Sequence, residues 1–305
     1  MSATLTTPTT ETTRRSNQRA SAVPPPTKRK RNGRERHTYI YVGVAVVIVY
    51  CLAPVYWMAA SSLRRTSDIF SLSPLPIPAS FESFLAIFDP SQGFLRSLLN
   101  SFIIASSVTV LALVVAVTAG YALARLQFRG KPLFMIAVVA TSMFPTVALI
   151  VPMLKIFSAV GWINTYQALI LPSLSFALPL AIWNLTTFFR QMPNDLEQAA
   201  MVDGCTRGQA FRRVILPLAT PGIFTTAIIT FVSAWNEFLI PLTMTNRPDV
   251  QPATIVISRF SGVSQFDTPF GSQMAAAMIV TLPLILMVLL FQRRIVSGLA
   301  AGALK

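Results

Sequence analysis

The chain has 305 residues, of which 53% are hydrophobic and only 12% charged, and its mean hydropathy of +0.59 lies outside the range in which a soluble domain keeps its surface wet. Its net charge of +14, from 25 Lys and Arg against 11 Asp and Glu, would read as a nucleic-acid footprint in a soluble protein; here the cations cluster beside apolar runs instead. One His and two Cys, Cys51 in an apolar run and Cys205 in a polar loop, exclude a metal site and a disulfide framework, and with His37 in a basic tail no His-based catalytic set can form inside the apolar segments.

Residues 1–37 are rich in Thr, Ser and Pro and carry the run Lys28-Arg29-Lys30-Arg31, a composition that cannot bury a core and reads as a disordered basic tail. Basic residues this close to a membrane fix topology and touch anionic lipid head groups; nucleic-acid binding is the weaker alternative. Small residues at Met58-Ala59-Ala60-Ser61 follow the first apolar run, but that run is too long for a signal peptide and reads as an uncleaved helix.

A bilayer core about 30 Å thick takes about 20 apolar residues in a helix. Charge-free stretches at Thr38–Leu63, Ser97–Ala124, Pro132–Leu154, Ile156–Phe189, Val214–Asn236 and Thr268–Gln292 meet that need. The fourth stretch is too long for one helix, and the turn formers Gly161 and Asn164 place a break between a helix ending near Phe157 and one starting near Tyr166. The expectation is an all-α membrane protein with six spans, at about 39–62, 98–123, 133–157, 166–188, 218–242 and 270–292, forming a permease domain over 38–296. Pro145, Pro152, Pro172, Pro179 and Pro283 fall inside these spans and mark bends or breaks.

With both termini inside, 19 cations sit on the inner side and six on the outer: Arg64, Arg65, Arg96, Lys155, Arg247 and Arg259. The opposite orientation reverses that asymmetry, so N-in and C-in is expected.

The inner loop at 190–217 is the long, patterned one. Asn194 followed by Glu197 reads as a capping box opening a short helix, Gly204 as its left-handed terminator, and Thr206 with Gln209 as a second box. Leu196, Ala199 and Ala200 share a narrow apolar face that another protein could approach closely, while Arg212 and Arg213 are left for solvent, lipid phosphate or a partner's carboxylates. Helices this short, tethered at both ends to spans, reach a major groove poorly, so DNA is not expected.

The residues Glu197-Gln198-Ala199-Ala200-Met201-Val202-Asp203-Gly204, followed by Val214-Ile215-Leu216-Pro217, closely resemble the signature loop of binding-protein-dependent ABC importer permeases. That motif runs Glu-Ala-Ala, three residues, Gly, nine residues, Ile, one residue, Leu-Pro. Gln198 stands where the motif has Glu and Val214 where it has Ile; Ala199, Ala200, Gly204, Leu216 and Pro217 match in spacing. The exchange of Glu for Gln removes a charged contact to a partner. Further strings, Ala119-Gly120-Tyr121-Ala122-Leu123-Ala124-Arg125 and Trp235-Asn236-Glu237-Phe238 among them, extend the resemblance toward the smaller permease of maltose-type carbohydrate importers.

The resemblance implies a permease subunit of a bacterial cell membrane, with no enzymatic activity of its own. It would pair with a second permease, two ATPase subunits and an extracellular solute-binding protein. No phosphate-binding loop precedes any lysine, so no cofactor is expected on this chain, and ATP and Mg would belong to the ATPases. The loop Asn194 to Pro217 would be the ATPase joint, with Asn194, Glu197, Asp203 and Gly204 within it, and the 297–305 tail would reach the ATPases as an extended insertion. Trp235, Asn236 and Glu237 are candidates for the solute pathway or its gate; Glu237 could instead pair with a cation or a partner subunit. The solute expected is a sugar; a phosphodiester, polyol or peptide is the alternative.

Overall fold

The computed structural model describes residues 33–68, 71, 73–260 and 270–303, and side chains within 39–65, 67–68, 71, 73–260 and 270–291. The expected disordered tail lies, up to residue 32, outside the described residues. The chain divides into two units, Met1–Leu52 and Ala53–Lys305. In the first, the described backbone is helix from Gly33, five residues ahead of the charge-free run, because Arg34, Glu35 and Arg36 are good helix formers.

Among the described residues all regular structure is helical. In chain order the helices are α1 (Gly33–Ser62), α2 (Glu82–Ile87), α3 (Phe94–Arg125), α4 (Lys131–Ser142), α5 (Thr146–Ala159), α6 (Tyr166–Gln191) and α7 (Asp195–Val202). They continue with α8 (Arg207–Ala210), a π-helical turn (Phe211–Ile215), α9 (Leu216–Leu218), α10 (Thr220–Trp235), α11 (Leu239–Met244), α12 (Ala253–Arg259) and α13 (Phe270–Ala303). Four helices are long and apolar enough to cross a membrane: Tyr39–Ser62, Phe94–Arg125, Tyr166–Gln191 and Phe270–Phe291. Two more candidates are pairs of helices bent at a break, α4 with α5 by 90° and Arg207–Leu218 with α10 by 68°.

The first bend divides the stretch expected over 133–157 at Pro145, one of the prolines read as marking a bend or break. Pro145 has no N–H to extend the α4 ladder, its own backbone is extended, and a proline disfavours helical conformation in the residue before it, so α4 stops at Ser142 and a new helix starts at Thr146. Pro152, Pro172, Pro179 and Pro283, by contrast, remain inside helices. The fifth expected span, 218–242, is also interrupted. Helix α10 ends at Trp235, and Glu237 Oε1 accepts the Leu239 and Ile240 amides at 3.1 and 3.2 Å, opening α11 as a separate helix. The turn between α5 and α6 falls where expected, with Gly161 at φ +71° and Asn164 at φ +62°.

Within the second unit α3, α6 and α10 pack together through small residues. On α3 the buried positions Ser97, Ser101, Ala105, Val108, Ala112, Ala116 and Gly120 recur every three or four residues, so one face approaches α6 closely. A Cβ on Gly120 would sit 3.1 Å from the Leu185 Cβ and the Thr186 amide, and one on Gly222 of α10 only 2.5 Å from the Phe188 ring. One apolar cluster joins Ile104, Val108, Leu169, Trp235, Ile240 and Met244. A second, at the opposite end of α3, joins Leu123, Leu185, Phe189, Ile215 and Ala219. A third joins Ile87 and Phe94 to Phe260, Ala275 and Ala276. Hydroxyls on these helices, such as Thr109, Thr226 and Thr281, donate to the carbonyl four residues back, which satisfies them without water.

Candidate functional site: the loop between α6 and α10

The chain leaves α6 at Gln191 and turns at Met192-Pro193-Asn194 into α7. The capping box expected from Asn194 and Glu197 does not form. Asn194 has helical φ and ψ and makes no side-chain cap, and Glu197 turns toward α3. The reason is a stronger pair of partners there: Tyr121 Oη donates to Glu197 Oε1 at 2.7 Å, and Arg125 Nε lies 3.9 Å from Glu197 Oε2. Asn194 Oδ1 accepts from Arg125 Nη1, while Nη2 donates to the Met192 carbonyl at 2.9 Å. A phenol hydrogen bond to the carboxylate, with a guanidinium paired beside it, outweighs a neutral self-cap. Tyr121 and Arg125 stand in one of the strings that carried the family resemblance, but sequence alone gave no sign of their pairing with Glu197, which is 76 positions from Tyr121.

Helix α7 ends as expected. Gly204 takes φ +87°, its amide donates to the Met201 carbonyl at 3.1 Å, and the Cys205 amide reaches back to Ala200 at 3.0 Å. These two bonds form a complete Schellman motif. The second box also forms, with Thr206 Oγ1 accepting the Gln209 amide and Gln209 Oε1 accepting the Thr206 amide. Ala210 then leads into the π-helical turn, whose Phe211 ring lies 4.4 Å from that of Tyr121. Leu216 and Pro217 lie just before the bend at Ala219 that starts α10.

The apolar face expected of α7 is divided. Ala200 is buried toward the fold, whereas Ala199 is exposed together with Asp195, Leu196, Gln198, Val202 and Asp203. Val202 is 87% exposed. Arg207, Arg212 and Arg213 are also exposed.

The second candidate group separates as well. Trp235 is 4% exposed, stacked on Phe231 at 5.5 Å in the core, with its indole Nε1 unpartnered among the described residues. Asn236 is exposed but donates to the Val232 carbonyl at 2.8 Å, and Glu237 is occupied with capping α11. None of the three lines the cavity of about 730 Å³ between α4, α5 and α6. That cavity is walled by residues such as Phe144, Phe157, Phe176 and Ile182, with only Thr141 and Ser175 contributing hydroxyls, too few polar groups to replace water around a polyhydroxyl solute. Among the described residues no group of His, Cys, Asp or Glu could hold a metal ion.

Two polar networks escaped the sequence reading. Buried Asn100 of α3 donates from Nδ2 to the carbonyls of Asp249 and Gln251, each at 3.0 Å, and accepts from Tyr166 Oη at 2.6 Å. Asn164 Oδ1 accepts the Asn246 and Arg247 amides, so the segment after α11 is fixed to α3 and to the α5–α6 turn. In the segment before α2, buried Arg64 donates to the Ser71 carbonyl at 2.7 Å and to that of Ser73, and stacks 4.8 Å from the Trp57 ring.

Residues 112–300 match the model of the binding-protein-dependent transport system inner membrane component family, and the chain belongs to that family. It is a multi-pass membrane protein of the ABC permease kind. Over 273 residues it is 45% identical to the trehalose transport system permease protein SugB of Mycobacterium tuberculosis, covering 90% of this chain and 99% of that one. It is 39% identical to the trehalose/maltose transport system permease protein MalG of Thermococcus litoralis, covering 87% and 96%. In fold it is similar to a chain of a bacterial ABC transporter that imports the acidic polysaccharide alginate, with TM-score 0.70 and 18% identity over 86% of this chain and 97% of the other.

Proposed function

We propose that the chain is one of two permease subunits of an ATP-driven sugar importer in a bacterial cell membrane. The carrying observation is its 45% identity, across almost the full length of both chains, to a trehalose permease; trehalose and maltose are the first solutes to try. Four long helices and the two bent pairs would make six spans, with both termini inside in keeping with the 19 to 6 division of cations. The 194–217 loop would then lie on the inner face and dock in an ATPase subunit, offering Asp195, Leu196, Gln198, Ala199, Val202 and Asp203 as the contact surface. ATP and Mg would be held by that partner. A binding protein would deliver solute from outside, and the second permease would complete the pathway.

Gln198 and the burial of Glu197 against α3 give this docking surface a particular character: its exposed carboxylates are Asp195 and Asp203, at the two ends of α7. The backbone of residues 297–303 continues α13 as helix, and residues 304–305 lie outside the described residues.

The test is uptake by proteoliposomes containing the tagged chain with the subunits that copurify with it. Labelled trehalose or maltose should accumulate only when its binding protein is outside and ATP inside. Accumulation by the purified chain alone, or uptake indifferent to ATP, refutes the reading.

A further inference from the structure

We propose that Tyr121, Arg125 and Glu197 form a clamp that fastens the ATPase-docking helix to the end of α3, making α3 a direct receiver of the ATPase stroke. This deepens the reading of the 194–217 loop and rests on it. By covalent connection α7 moves only α6, through three residues, and α10, through α8 and the π-helical turn. The side chains add a third element. The Arg125 guanidinium donates hydrogen bonds to Met192 at the exit of α6 and Asn194 at the start of α7, and its Nε, otherwise unpartnered among the described residues, forms a 3.9 Å ion pair with Glu197 in the first turn. Tyr121 completes the grip, its hydroxyl on Glu197 and its ring between Phe189 of α6 at 5.9 Å and Phe211 at 4.4 Å.

Burial argues that these groups face one another and not a partner. The side chain of Arg125 is 8% exposed and that of Glu197 14%. A carboxylate so far out of water needs its cation and hydroxyl together; with either removed, α7 loses a fixed bearing on α3 while keeping its own backbone hydrogen bonds. The three side chains are positioning residues, and none needs to touch solute or nucleotide. Further along, α3 reaches the Asn100 network, which holds the 249–251 carbonyls. One rigid helix therefore connects the docking loop with the segment after α11.

The experiment uses the full assembly in proteoliposomes, with Tyr121→Phe, Glu197→Gln and the double variant. The first removes one hydroxyl; the second keeps shape but removes charge. Two quantities are read: ATP hydrolysed per solute accumulated, and hydrogen exchange of the α7 amides. Each single variant should raise α7 exchange by about tenfold, the worth of one charge-assisted hydrogen bond. Each should also raise the ATP-to-solute ratio several-fold while subunit stoichiometry holds. The double variant should do less than the product of the two single effects, because both substitutions weaken the same Tyr121–Glu197 contact. An unchanged ratio in both single variants, or effects that multiply in the double, overturns the clamp. If wild-type uptake proves independent of ATP, it is the docking reading that fails, and unchanged α7 exchange in the variants would then dismiss the clamp separately.

Discussion

Substitution of Gly204 isolates a backbone cost. Its φ of +87° is a conformation side-chain-bearing L residues rarely adopt, and a Cβ built there meets nothing within 4 Å. No clash contributes, so Gly204→Ala should cost about 1–2 kcal/mol from the left-handed backbone alone. That strain falls on the two bonds that close α7, Gly204 to Met201 and Cys205 to Ala200. It should multiply local opening by about 5- to 30-fold, read as faster hydrogen exchange at the amides of residues 204 and 205. Gly204→Asn, whose side chain tolerates this region, should cost less than Ala, and Gly204→Val more. Exchange in the Ala variant equal to wild type, or a ranking that follows side-chain size with Asn worse than Ala, would refute the argument that φ and not space requires glycine.

Gly222→Ala places a Cβ 2.5 Å from the Phe188 ring and should destabilise the α6–α10 packing by about 1–3 kcal/mol, seen as a lower unfolding temperature in detergent. Adding Phe188→Leu should restore part of that loss; a double variant no better than the single would place the strain elsewhere. Arg64→Ala removes two hydrogen bonds to carbonyls and a ring contact from a buried position, so the 63–80 segment should become a preferred site of limited proteolysis, with Arg64→Lys intermediate. A cleavage pattern identical to wild type in both would count against Arg64 holding this segment. Asn100→Asp keeps size but presents oxygen to the Asp249 and Gln251 carbonyls, and should release the 246–253 amides to exchange more than Asn100→Ala does. The reverse order would show that the amide donors matter less than the space the side chain fills.

The sequence by itself determined the membrane class, the approximate helix positions, the turn at Gly161 and Asn164, the Schellman end at Gly204 and the box at Thr206 and Gln209. All of these depend on residues within a few positions of one another, or on the sum of apolar character along one helix, and such terms are written locally. Family membership was legible for a related reason, since the spacing of Ala199, Ala200, Gly204, Leu216 and Pro217 is a local pattern. Tertiary structure decided the rest. It drew Glu197 out of its expected capping box because a phenol and a guanidinium from α3 outweigh a neutral cap, and it packed the Trp235 ring into the core under α3 and α6. It turned Ala200 inward and left Ala199 outside, dividing a face that a helical wheel shows as one. Where a polar group has a choice of partners, the answer lies with whatever distant residue the fold brings within 3 Å, and no window along the chain contains it.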